Sequence, residues 1–183
     1  MSSESGKWLE KYNPEALPQE IRYRFMRLLK IAAVSEEGLS SLTDEQLNEP
    51  LFSSSDTLIK QFQHIIIHTS AFTKLISQAT DEIPSRLKTW NCVEQFPELA
   101  KVNQMEKAEL QSQYGQVLGN LHSILQAPNI LGRKVQKPYS PVISVFDVVC
   151  DISEHFYLHA QNMIDYYEKF NLPRSISMKA ALG

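Results

Sequence analysis

Cysteine is scarce in this chain of 183 residues: only Cys92 and Cys150, far apart in sequence. No CxxC pair exists, which excludes a cysteine zinc site and a dithiol redox motif. The two thiols are expected to lie apart and buried in a reducing compartment, with a single disulfide as the alternative. Neither has a local electropositive neighbourhood, so no catalytic nucleophile is assigned. Basic excess is missing too. The net charge is -3 and the pI about 6.0, so nothing is available to neutralise a phosphate backbone, and no nucleic-acid partner is expected. Long apolar runs are absent. The most apolar helical stretch, around Ile65–Ile67, is too short to span a bilayer. The opening segment MSSESGKWLEKYNPEALP lacks the apolar region of a signal peptide. A cytoplasmic protein with no membrane partner is the expectation.

Glycine and proline are few, at 6 and 9, and the prolines fall between periodic segments. β-branched alternation is rare, so long helices joined by loops are expected. Hydrophobic residues make up 43% of the chain, enough for one sizeable core. The spacing predicts a first helix over 18–34, with Ile21, Phe25, Leu28, Leu29 and Ala32 as its apolar stripe. Thr43 and Gln46 fit a capping box for one short turn. A second helix runs from the SSSD segment to about Ala79. Its consecutive Ile65, Ile66 and Ile67 mark it as central. Asn103 and Glu106 suggest the cap of a third helix reaching about Gln126. Ser140 and Pro141 suggest the start of a fourth, ending near Phe170. Four long helices imply an all-α four-helix bundle over 18–173, preceded by an extension over 1–17 and followed by a tail over 174–183.

On the fourth helix Val145, Val148, Ile152, His155, His159, Asn162 and Tyr166 step by three and four, the inward seam of a bundle helix. His155 and His159 are therefore one turn apart on one face, roughly 6 Å along the axis, and both rings can reach a single ion. The second helix carries His64 and His68 at the same spacing. One of them can complete a three-imidazole site with an open position, which suits a catalytic zinc; nickel, iron and manganese also accept imidazole. Burying an unpartnered imidazole costs roughly 2–7 kcal/mol against a typical total stability of about 5–15 kcal/mol, so these rings need a metal, a carboxylate or water. Asp151, one turn before His155, is a candidate to orient that ring. HxxxH alone serves a structural hydrogen-bonded pair as readily as a metal. His122 reads as a packed or surface histidine, and Tyr157, Tyr166 and Tyr167 as packing residues.

Three segments, taken in order, resemble the DinB/YfiT-like superfamily. They are LIKQFQHIIIH, the closing VVCDISEHFYLHAQNMIDYYEKFNLP, and the opening region with its SLTDEQL turn. The resemblance covers about Ile21 to Pro173. It implies a four-helix bundle with a metal on His64, His155 and His159; the expected ion is divalent, zinc or nickel, and the spacing leaves His68 as an alternative ligand. Many relatives follow the second histidine of the pair with Arg-Gly-Gln. Here Ala160, Gln161 and Asn162 follow, so Asn162 takes the amide's place beside the ligands. Asn171 stands where relatives often carry glycine. The activity implied is a thiol S-transferase or hydrolase: the metal activates a low-molecular-weight thiol, or water, for attack on an electrophilic small-molecule substrate. The alternative is a non-catalytic metal- or ligand-binding stress-response module. A third reading satisfies the histidines with Asp151 and water. A homodimer is compatible with such bundles.

Overall fold

The computed structural model describes residues 8, 10–52 and 56–173. Six α-helices are named in chain order: α1 Gln19–Ser41, α2 Asp44–Asn48, α3 Leu58–Gln78, α4 Cys92–Gln95, α5 Lys107–Leu125 and α6 Val145–Lys169. The long ones, α1, α3, α5 and α6, form the four-helix bundle. A small sheet of β1 Ser85–Arg86, β2 Lys134–Gln136 and β3 Val142–Ser144 stands beside it. β2 pairs in parallel with β1 and antiparallel with β3. The tail lies outside the described residues.

Side-chain partners fix the helix directions. Gln61 reaches His159 and His64 reaches His155, so α3 and α6 run antiparallel. Arg24 bonds to Glu154 near the start of α1 and Ser41 meets Tyr167 near its end, so α1 and α6 run parallel. Tyr114 bonds to Ser35 and Gln111 to Ser40, which sets α5 antiparallel to α1. The successive long helices α3 and α5 consequently point the same way, and the chain between them must travel the length of the bundle. Residues 79–106 make that return, through β1, α4 and a 3-10 segment, Pro97–Gln104.

The helix starts follow local chemistry. Thr43 and Gln46 form the expected capping box of α2. The third and fourth long helices begin later than the sequence suggests. α5 is capped by Glu106 with Glu109, because 97–104 is already wound as a 3-10 turn. α6 is capped by Ser144 with Asp147, because residues 142–144 are drawn into pairing with β2. The first helix continues to Ser41, seven residues past Val34. Ser35, Gly38 and Leu39 are buried on this last part, and Gly38 gives Met163 of α6 room to pass. The described residues of the N-terminal extension pack onto the bundle. Trp8 is buried and its indole N–H donates to Glu36, while the Tyr12 hydroxyl donates to the carbonyl of Gly115.

The apolar stripes meet in one core. Phe25, Leu28, Phe62, Phe72, Leu118, Ile152 and Phe156 are all at most 1% exposed. At roughly 1.5–3 kcal/mol for each large apolar side chain removed from water, this core is the main force holding the bundle. It also fixes the rotational setting of α3 and α6, and that setting places the histidines.

Candidate metal centre

α6 buries Val148, Ile152, Phe156 and Met163. The same rotation turns the face carrying His155, His159 and Asn162 towards the start of α3, where the seam opens and all three are half-buried. α3 contributes His64 from an exposed position one turn below Lys60. Across the antiparallel pair the three imidazoles converge: His64, His155 and His159 each offer a nitrogen within 4.8 Å of the other two. The Nε2 atoms of His64 and His155 are 3.1 Å apart. Two imidazole nitrogens on one tetrahedral zinc, at about 2.0–2.1 Å each, would be separated by roughly 3.3 Å. The donor set therefore fits a divalent cation without rebuilding the helices.

The rings are held in the form a metal needs. Burial pushes His155 and His159 down to about 4, helped by their imidazole neighbours, and it lowers His64, against the opposing charge of Asp56. The shifts favour the neutral form that a metal ligand requires. Gln61 fixes one tautomer. Its side-chain oxygen lies 3.3 Å from His159 Nδ1 and 2.9 Å from the Asn162 amide nitrogen. His159 therefore donates through Nδ1 and keeps the Nε2 lone pair for a metal. Gln61 is a candidate site residue that sequence reasoning missed. Its position one turn before His64 was the available signal.

Other expected partners fall elsewhere. The Asp151 carboxylate forms an ion pair with Lys137, so it does not orient His155. Asn162 stands beside the cluster and donates to the Gln61 side-chain oxygen. His68 lies outside the three-nitrogen group. It stacks on His155 with centroids 4.1 Å apart and 18° between planes, and its buried Nδ1 has no hydrogen-bond partner. Burial and the neighbouring imidazoles push it down to about 3. His122 is remote from the cluster, bonded to the carbonyl of Asn13 and packed on Phe25. Cys92 and Cys150 are both free. Cys92 is buried, Cys150 only partly, and burial raises both thiols, which disfavours a nucleophilic role. Tyr166 and Tyr167 are buried, and the Tyr166 hydroxyl donates to the carbonyl of Glu49.

The bundle is similar to solved structures. YfiT from Bacillus subtilis, proposed to be a metal-dependent hydrolase with an unusual four-helix bundle topology, matches with a TM-score of 0.65. The match has 13% identity and covers 82% of this chain and 87% of that one. The fold is YfiT-like. The mycothiol-dependent maleylpyruvate isomerase matches with a TM-score of 0.61 and 13% identity, over 84% of this chain and 62% of the isomerase. This chain thus spans less than two thirds of the isomerase's matched chain. No family model and no curated protein matches the sequence. Among the described residues no helix is long and apolar enough to cross a membrane.

Proposed function

We propose that this protein is a metal-dependent enzyme that activates a low-molecular-weight thiol, or alternatively water, for attack on an electrophilic small molecule. The observation that carries the reading is the convergence of three imidazoles from two antiparallel helices at the edge of an open cavity. His64, His155 and His159 would hold the divalent ion, zinc or nickel. Such an ion would supply Lewis acidity and lower the pKa of a thiol or water molecule in the open position. Gln61 and Asn162 keep the His159 ring turned so that Nε2 faces its two partners. The neighbours described as a metal-dependent hydrolase and a mycothiol-dependent isomerase support this class of chemistry for the fold.

The test is elemental analysis of protein purified without an affinity tag, followed by chelation and reloading with zinc or nickel. Alanine at His64, His155 or His159 is expected to abolish stoichiometric binding. Wild-type stoichiometry in all three variants would refute the ligand assignment. The loaded protein is then assayed with bacillithiol, mycothiol, glutathione and water against monochlorobimane and related electrophiles. Bound metal with no turnover would make the chain a metal-binding module instead.

A further inference from the structure

Beside the imidazole cluster lies a cavity of about 430 Å³. One wall is α3, with Lys60, His64 and His68. The facing wall is the segment that leads into α4, with Trp90 and Asn91. This volume is within the usual range of small-ligand sites.

The walls carry both donors and acceptors: Lys60 and Asn91 supply donors, whereas Asp56 and the side-chain oxygen of Gln63 accept. Among the described residues, no carboxylate lies within salt-bridge distance of the Lys60 ammonium, whereas Lys74, Lys137 and Lys169 each have one. The Asn91 side-chain oxygen is used to cap α4, accepting from the Glu94 amide at 3.2 Å, so its NH2 group remains to donate. The acid on these walls, Asp56, acts on His64, where its charge opposes the lowering caused by burial. Trp90 is 54% exposed although it borders a concavity, and so presents indole surface without covering protein. An ammonium, an amide NH2 and an open indole recognise a flat ring bearing an anionic acceptor.

We propose that this cavity binds a flat aromatic monocarboxylate, its ring stacked on Trp90 and its carboxylate held by Lys60 and Asn91. The proposal rests on the metalloenzyme reading for its place beside the imidazole cluster, as the small molecule presented to a bound metal. Its recognition groups belong to the polypeptide alone. Lys60 and His64 are one turn apart on α3, roughly 6 Å along the axis, so a ligand anchored at Lys60 extends to the imidazoles.

The experiment is calorimetric titration of zinc-loaded and chelator-stripped full-length protein with trans-cinnamate and with its neutral isostere, trans-cinnamamide. Wild type is expected to prefer cinnamate by about tenfold, the scale of one charge-assisted hydrogen bond. Lys60→Met is expected to remove that preference while leaving cinnamamide binding intact. Trp90→Ala is expected to weaken both ligands about tenfold, through the lost stacking area. Circular dichroism and melting curves matching wild type establish that the variants are folded. Absence of cinnamate binding, equal affinity for the two ligands, a preference that survives Lys60→Met, or indifference to Trp90→Ala each overturns the proposal. Dependence on Lys60 and Trp90 in a protein that holds no metal would keep the pocket and sink the metal reading. Bound metal without that dependence would do the reverse.

Discussion

Gln61 and His159, 98 positions apart in sequence, meet at 3.3 Å through a side-chain oxygen and a ring nitrogen. The same oxygen accepts from Asn162 at 2.9 Å. One amide thus orients one imidazole and is itself held by another amide. Gln61→Leu is expected to keep the fold, because the side chain is only 8% exposed and leucine occupies a similar volume. It frees the ring to rotate and leaves Asn162 without its acceptor. Outer partners of this kind typically contribute about 10–100-fold in metal affinity. Competition with a chromophoric chelator measures the loss; Gln61→Glu, which keeps an acceptor, should restore most of it. Equal zinc affinity in wild type and Gln61→Leu would remove Gln61 from the site.

The histidines also set a pH dependence for protein stripped of metal. His155 and His159 titrate near 4 in the folded chain and near an ordinary 6.5 when unfolded. Between those values the unfolded state binds more protons, so stability rises with pH across the window. It is fully present above about 6.5 and is lost as pH falls towards 4. Melting temperatures of chelator-treated protein should therefore decline steadily from pH 7 to pH 4.5. The double variant His155→Asn, His159→Asn should show a visibly flatter profile. Identical slopes would mean that these rings are not desolvated in solution.

A third expectation concerns the contact between α1 and α6. A Cβ on Gly38 would run into the Sδ of Met163, so these helices approach closely because position 38 has no side chain. Gly38→Leu overpacks this seam, at a cost of about 1–3 kcal/mol. Urea denaturation should record the loss, and Met163→Ala in the same chain should recover part of it. Strict additivity of the two substitutions would show that they do not share the space.

The bundle was legible because its apolar stripes repeat at helical spacing over many turns, as in Leu110, Tyr114, Val117, Leu118, Leu121 and Leu125 of α5. That three imidazoles could converge was legible from the one-turn spacing of His155 and His159 on a seam. What failed was decided by tertiary contacts. Ser140–Pro141 and Ser144–Asp147 are both plausible helix starts, and pairing of Val142–Ser144 with β2 selects the second. Asp151 has the right spacing to serve His155, yet Lys137 in the preceding loop reaches it first. Gln61 offered only its position one turn before His64, since both groups it accepts from lie on α6.

His68 separates a ligand from a neighbour. It shares the one-turn spacing with His64, but stacks flat against His155 and leaves a buried Nδ1 without a partner. A buried polar atom left unpaired costs about 1–3 kcal/mol, and replacing it with an apolar group of similar shape is neutral or stabilising. His68→Phe preserves the aromatic stack on His155 and on Phe72, whose ring lies 4.5 Å away. The variant should therefore bind one metal per chain with wild-type affinity and melt at the same temperature or a few degrees higher. Were His68 a ligand in place of His64, the same substitution would strip the metal while His64→Phe would spare it. Elemental analysis of the two variants side by side decides between these arrangements, because the cluster at His64, His155 and His159 requires the opposite pattern.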